Sequence, residues 1–109
     1  MGNPLFRVGT PFNENGVKGV KFDKEITNSK SIESLRTLIK KVRDIDEPNG
    51  LNKESNIFFS LDRPKDGISE IRLYIWYQDD GSSILKTDSN SYFALTKEHT
   101  NELKNILEQ

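Results

Sequence analysis

The chain has 109 residues, no cysteine, 16 Lys+Arg against 17 Asp+Glu, and a formal net charge of −1. That length and a hydrophobic content of 33% suit a single domain spanning 1–109 with a small core. The lack of cysteine excludes disulfide scaffolds, thiol catalysis and cysteine zinc sites, and the interleaved charges set up no global field toward DNA or a membrane.

The N-terminal MGNPLFRVGT has no cationic region followed by an apolar run, so it does not read as a secretory signal. No apolar segment approaches the ~20 residues of a membrane span. The expectation is a cytoplasmic protein without membrane association.

Leu5–Phe12, LFRVGTPF, reads as a first strand. Gly9 and Pro11 interrupt it, which favours an edge or bulged position. Asn15-Gly16 is a hairpin signal, and Val17–Phe22 follows as the second strand. Asn28 or Ser29 then caps a helix. Ile32, Leu35, Leu38, Ile39, Val42 and Ile45 recur at three- and four-residue steps, so the helix is expected to run to about Asp44, with Pro48-Asn49-Gly50 as its exit. Its opposite face carries Arg36, Lys40, Lys41 and Arg43, a basic patch that could meet phosphates, although such faces usually serve solvation alone.

Leu51–Asn56 is a polar connector. Ile57–Arg63, Ile68–Tyr77 and Ser82–Lys86 then form a meander, turned by Asp66-Gly67 and Asp80-Gly81. Ser91–Leu95 is a short last strand. Thr96 caps a final helix whose buried stripe is Leu103, Ile106 and Leu107. The expected fold is α+β: an antiparallel sheet of about five to six strands with two helices on one face, in the order β-β-α-β-β-β-(β)-α.

The organising strand is Ile68–Tyr77. Ile71, Leu73, Ile75 and Tyr77 share one face, which reads as core. Arg72, Tyr74 and Trp76 share the other, a row of aromatics beside an arginine. Two short apolar helices cannot cover both faces of the sheet. The row is therefore expected to be open or covered by another molecule, and Arg72, Tyr74 and Trp76 are the candidate binding residues.

Catalytic signals are weak. His99 is the sole histidine, and Glu102 is its one partner at helical spacing, too little for a metal site. Asp79 and Asp80 are explained by the turn they share with Gly81. Ser82, Ser83, Ser89 and Ser91 have no nearby base, and no glycine pattern forms a phosphate cradle. These readings give no catalytic residue, no metal and no cofactor.

The C-terminal half, about Ile57 to Leu107, resembles the strand-meander-plus-helix unit of the positive-cofactor-four and Whirly-type single-strand DNA binders. The similar residues are EIRLYIWYQDDG at 70–81 and YFALTKEHTNELK at 92–104. Tyr92-Phe93 stands where that family has Gly-Ile, the insertion before it is longer, and the family's basic loops are absent. The resemblance implies nucleic-acid binding, and the residues allow such a reading of their own: Tyr74 and Trp76 would stack bases while Arg72 and Lys86 meet phosphates. Glu70, Asp79, Asp80 and Asp88 in the same region oppose it.

The leading expectation is a non-enzymatic module acting by protein–protein contact, of the inhibitor, immunity or accessory type found in bacteria and phages. Its partner would be another protein or a second copy of the chain, met through the central-strand face. Single-stranded nucleic acid is the alternative.

Overall fold

The computed structural model describes residues 4–51 and 54–107. Its elements are β1 (Leu5–Glu14), β2 (Val17–Ile26), α1 (Ser29–Ile39), β3 (Arg43–Ile45), β4 (Ile57–Arg63), β5 (Ile68–Tyr77), β6 (Ser83–Lys86), β7 (Tyr92–Leu95) and α2 (Lys97–Ile106). The strands form one antiparallel sheet in the order β2-β1-β4-β5-β6-β7-β3. The architecture is α+β, as expected, and β5 stands at the centre of the sheet. The connector expected over Leu51–Asn56 and the end of the last helix fall partly outside the described residues.

α1 begins where a polar cap frees it from the preceding strand. The Asn28 side chain accepts hydrogen bonds from the backbone amides of Lys30 and Ser31, at 2.8 and 3.3 Å. These satisfy two of the donors that a helix start leaves without partners. Asn28→Ala should cost about 1 kcal/mol in a urea titration. A midpoint at the wild-type value would show that water replaces the cap without loss.

The helix stops at Ile39, with Lys40 as its C-cap, and not near Asp44. Arg43–Ile45 instead pairs with Tyr92–Ala94 as an edge strand, which raises the sheet to seven strands rather than five or six. Val42 and Ile45 continue the helical spacing, and spacing alone cannot separate a helix end from a short strand. The decision lies with β7, whose free backbone edge offers hydrogen bonds to any segment that can lie beside it. α1 thus carries the chain across the sheet, from β2 at one edge to β3 at the other.

Both helices lie on the Ile71 side of β5. Ile32, Leu35 and Leu38 of α1 and Leu103 of α2 meet Phe6, Val8, Phe59, Leu61, Leu73, Ile75 and Leu85 from the sheet in one continuous core. Ile71 and Tyr77 pack against it, half-buried. This is the face assigned to the core by the alternation of β5.

Candidate functional site

The outer face of the sheet, away from the helices, carries the Arg72, Tyr74 and Trp76 row. It is neither sealed by a helix nor open along its length. Phe58 of β4 lies under it, buried to 1% exposure yet outside the helix-side core. The Tyr74 ring packs on Phe58 with centroids 4.8 Å apart, and the Phe22 ring meets Phe58 edge-on at 6.1 Å. Arg72 sits 5.2 Å from the Phe58 centroid, and Lys86 Nζ 5.6 Å from that of Tyr74. Register explains the grouping: Phe58, Tyr74 and Lys86 are direct cross-strand neighbours on β4, β5 and β6.

The chain supplies its own partial cover. β1 pairs with β4 only as far as Gly9, while β1 and β2 continue together to the Asn15-Gly16 turn. The hairpin therefore runs on as an arm. Its bend is set at Gly9, where the β1–β2 register shifts. A β-carbon at Gly9 would lie 2.7 Å from the Lys21 carbonyl oxygen and 2.8 Å from Val20 Cγ1. Only glycine lets the two strands approach so closely. Further out, the Phe12 ring lies on Gly19, where a β-carbon would come within 2.7 Å of its Cζ.

Between the arm and the sheet is a groove of about 430 Å³. Phe12 and Val20 form its wall on the arm, and Tyr74 and Trp76 form its wall on β5. Glu54 and Ser55, just ahead of β4, and Lys86 and Asp88, at the end of β6 and just past it, also line it. Asp88 is held by Arg72, whose Nε donates to its carboxylate at 2.8 Å. Burial pushes the Tyr74 phenol above its ordinary range. The charge of Asp88 adds to that rise, Arg72 opposes it, and Glu54 adds a smaller push upward. The hydroxyl is thus a neutral donor at physiological pH.

Ser55 is 6% exposed, and its hydroxyl has no hydrogen-bond partner among the described residues. A buried hydroxyl without a partner costs about 1–3 kcal/mol. Its backbone is held by the neighbouring residue: Asn56 N donates to the Ile75 carbonyl at 2.8 Å, and Tyr77 N donates to Asn56 Oδ1 at 2.9 Å.

Of the binding residues read from the sequence, Tyr74 and Trp76 line the groove, and Arg72 stands behind it, fixing Asp88. The residues of the basic patch fall on α1, on the turn after it and on β3. Arg36 is engaged by Glu33 and Glu70, each at 2.9 Å, and Glu70 also takes Arg63 at 2.9 Å. The hydrogen bond from Arg36 holds the Glu70 carboxyl below its usual range. Lys40 and Lys41 follow the helix, and Arg43 has moved onto β3. His99 lies in the first turn of α2, across the sheet from the groove. Asp79 and Asp80 occupy the turn, where Asp80 Oδ1 accepts from Ser82 N at 2.9 Å and from Ser82 Oγ at 2.6 Å. Among the described residues no cluster of three His, Asp or Glu side chains could hold a metal ion, and no helix is long and apolar enough to cross a membrane.

Sequence reasoning missed the groove residues Phe12, Val20, Glu54, Ser55 and Asp88. The available signal was the pair of breakers at Gly9 and Pro11, which marks where β1 leaves the plane of the sheet.

A scan against protein-family models gives no match, and a search of curated proteins gives none either. Among solved structures, the chain is similar to the crystal structure of a thioesterase-like protein from Clostridium sporogenes. The TM-score is 0.64 at 20% sequence identity, over 94% of this chain and 91% of the other. The likeness spans both halves, so it includes the arm and α1, which the resemblance to single-strand DNA binders left out. It shows a common α+β fold. It also corrects the functional expectation. The expectation was a non-enzymatic binding module, whereas the protein that shares this fold is a thioesterase-like one.

Proposed function

We propose that the protein is a thioesterase-like hydrolase that takes an acyl thioester in the groove between the β1–β2 arm and β5. The observation that carries this reading is the end-to-end likeness in fold to the thioesterase-like protein. The groove supports it chemically. Thioester hydrolysis needs an apolar wall for the acyl group, a base for water and a donor for the carbonyl oxygen. Phe12, Val20 and Trp76 supply the wall, Glu54 and Asp88 are carboxylates, and Tyr74 carries a neutral hydroxyl.

The test is thiol release from a series of S-acyl N-acetylcysteamines, from acetyl to palmitoyl, followed with a chromogenic disulfide. Turnover should prefer one acyl length and be competed by a non-hydrolysable ketone analogue of that length. Trp76→Ala should raise KM about tenfold or more, because a large apolar contact to the acyl group is lost. Thiol release no faster than in buffer, across the whole series, would remove the hydrolase reading.

A further inference from the structure

We infer that Glu54 is the general base of the groove and Tyr74 the donor to the substrate carbonyl, with Asp88 a positioning residue. The inference rests on the hydrolase reading and adds a division of labour to it.

Two carboxylates border one cavity, and their surroundings separate them. Asp88 is committed to Arg72 through a charge-assisted hydrogen bond of 2.8 Å, and Arg72 is itself stacked toward Phe58. A carboxylate so engaged is turned toward Arg72 rather than free to meet a water in the groove. Glu54 has no hydrogen bond or ion pair among the described residues, and its side chain is exposed at the groove. Its backbone lies two residues from Asn56, which is clamped to β5 on both sides. The carboxylate is therefore both available and anchored.

Tyr74 lies between these groups on the central strand. Phe58 supports its ring, and burial first, then the charges of Asp88 and Glu54, hold the proton on its hydroxyl. The adjoining Ser55 is more than nine-tenths buried beside the groove, and its hydroxyl has no partner among the described residues.

The step balances without a further reactant. Glu54 takes one proton from water as the water oxygen bonds to the thioester carbon. The carbonyl oxygen gathers negative charge and accepts a hydrogen bond from the Tyr74 hydroxyl. The tetrahedral centre collapses, the carbon–sulfur bond breaks with its electron pair going to sulfur, and the thiolate takes the proton back from Glu54. The products are a carboxylic acid and a thiol.

The experiment pairs steady-state kinetics with the fluorescence of Trp76, the chain's single tryptophan and part of the groove wall. Wild type, Glu54→Gln, Tyr74→Phe and Asp88→Asn are assayed on the best S-acyl N-acetylcysteamine, and each is titrated with its ketone analogue. Glu54→Gln should lower kcat about 100-fold or more, remove the fall in rate on the acid side, and leave analogue binding within about twofold. Tyr74→Phe should also lower kcat about 100-fold while keeping the acid limb. Asp88→Asn should keep the acid limb and act mainly on KM. A wild type that turns over while Glu54→Gln retains both rate and acid limb would overturn the assignment and leave the hydrolase reading intact. The same holds if the acid limb disappears in Asp88→Asn instead. A wild type without turnover removes both.

Discussion

Phe59→Ala should lower the free energy of unfolding by about 3–5 kcal/mol. Phe59 is fully buried on β4, which lies between β1 and β5, and stands opposite Val8 and Leu73 in the two ladders. Its ring meets that of Phe6 edge-on, with centroids 5.5 Å apart and planes at 64°. Truncation removes the transfer free energy of the ring, the edge-to-face contact, and the packing of every neighbour that cannot move into the space. Those neighbours belong to a hydrogen-bonded sheet on one side and to helices pinned by Leu35 and Leu103 on the other, so little collapse is open to them. A domain of this size has only about 5–15 kcal/mol in total, so the variant should stand near the limit of folding at 37 °C. Urea titration at 25 °C, with an unchanged m value, is the measurement. A loss below about 1 kcal/mol would mean that β4 is not the packed centre of the core.

The path from sequence to fold was clear wherever a local signal and a long-range one agreed. β5 alternates strictly and is bounded by two Asp-Gly turns, and both its limits and its core face follow from that. The α1 start was legible because Asn28 has one good role in that position. The helix end was not, because Val42 and Ile45 satisfy two periods at once, and the free edge of β7 that decides between them comes from residues about fifty positions away.

The groove was hidden for a related reason. Its two walls, on the arm and on β5, are separated by more than fifty residues, and what joins them is a bend at Gly9 that depends on the missing side chain. The aromatic row Tyr74/Trp76 could be read as special from its composition. What covers it could not, because a strand pattern states which residues share a face and is silent on where the strand goes beyond its partner. The carboxylates show the same limit. Asp88 looks like one of several turn acids until Arg72 is seen beside it, and Glu54 looks like connector until it is found on the lining of the groove.

Thr100→Val should cost about 1–3 kcal/mol, although it exchanges a hydroxyl for a methyl of nearly the same shape. Thr100 extends the buried stripe of Leu103 and Leu107 by one turn toward the start of α2, a place where an apolar residue would be the ordinary choice. Its Oγ1 instead lies 2.8 Å from the Ser83 Oγ of β6, and both residues are within 1% of complete burial. The pair is a buried polar contact between α2 and the sheet, and it accounts for a serine that the sequence leaves without a role. Removing one hydroxyl leaves the other buried and unpaired, so the single variants Thr100→Val and Ser83→Ala should each be destabilised by more than the net worth of one hydrogen bond. Removing both leaves no polar atom to satisfy. The double variant should therefore lie within about 1 kcal/mol of the better single one, and well short of the sum of the two losses. Urea titrations of all four proteins close the cycle. Additive losses, or a Thr100→Val protein as stable as wild type, would show that water reaches this seam and that the hydroxyl pair does not fix the seat of α2.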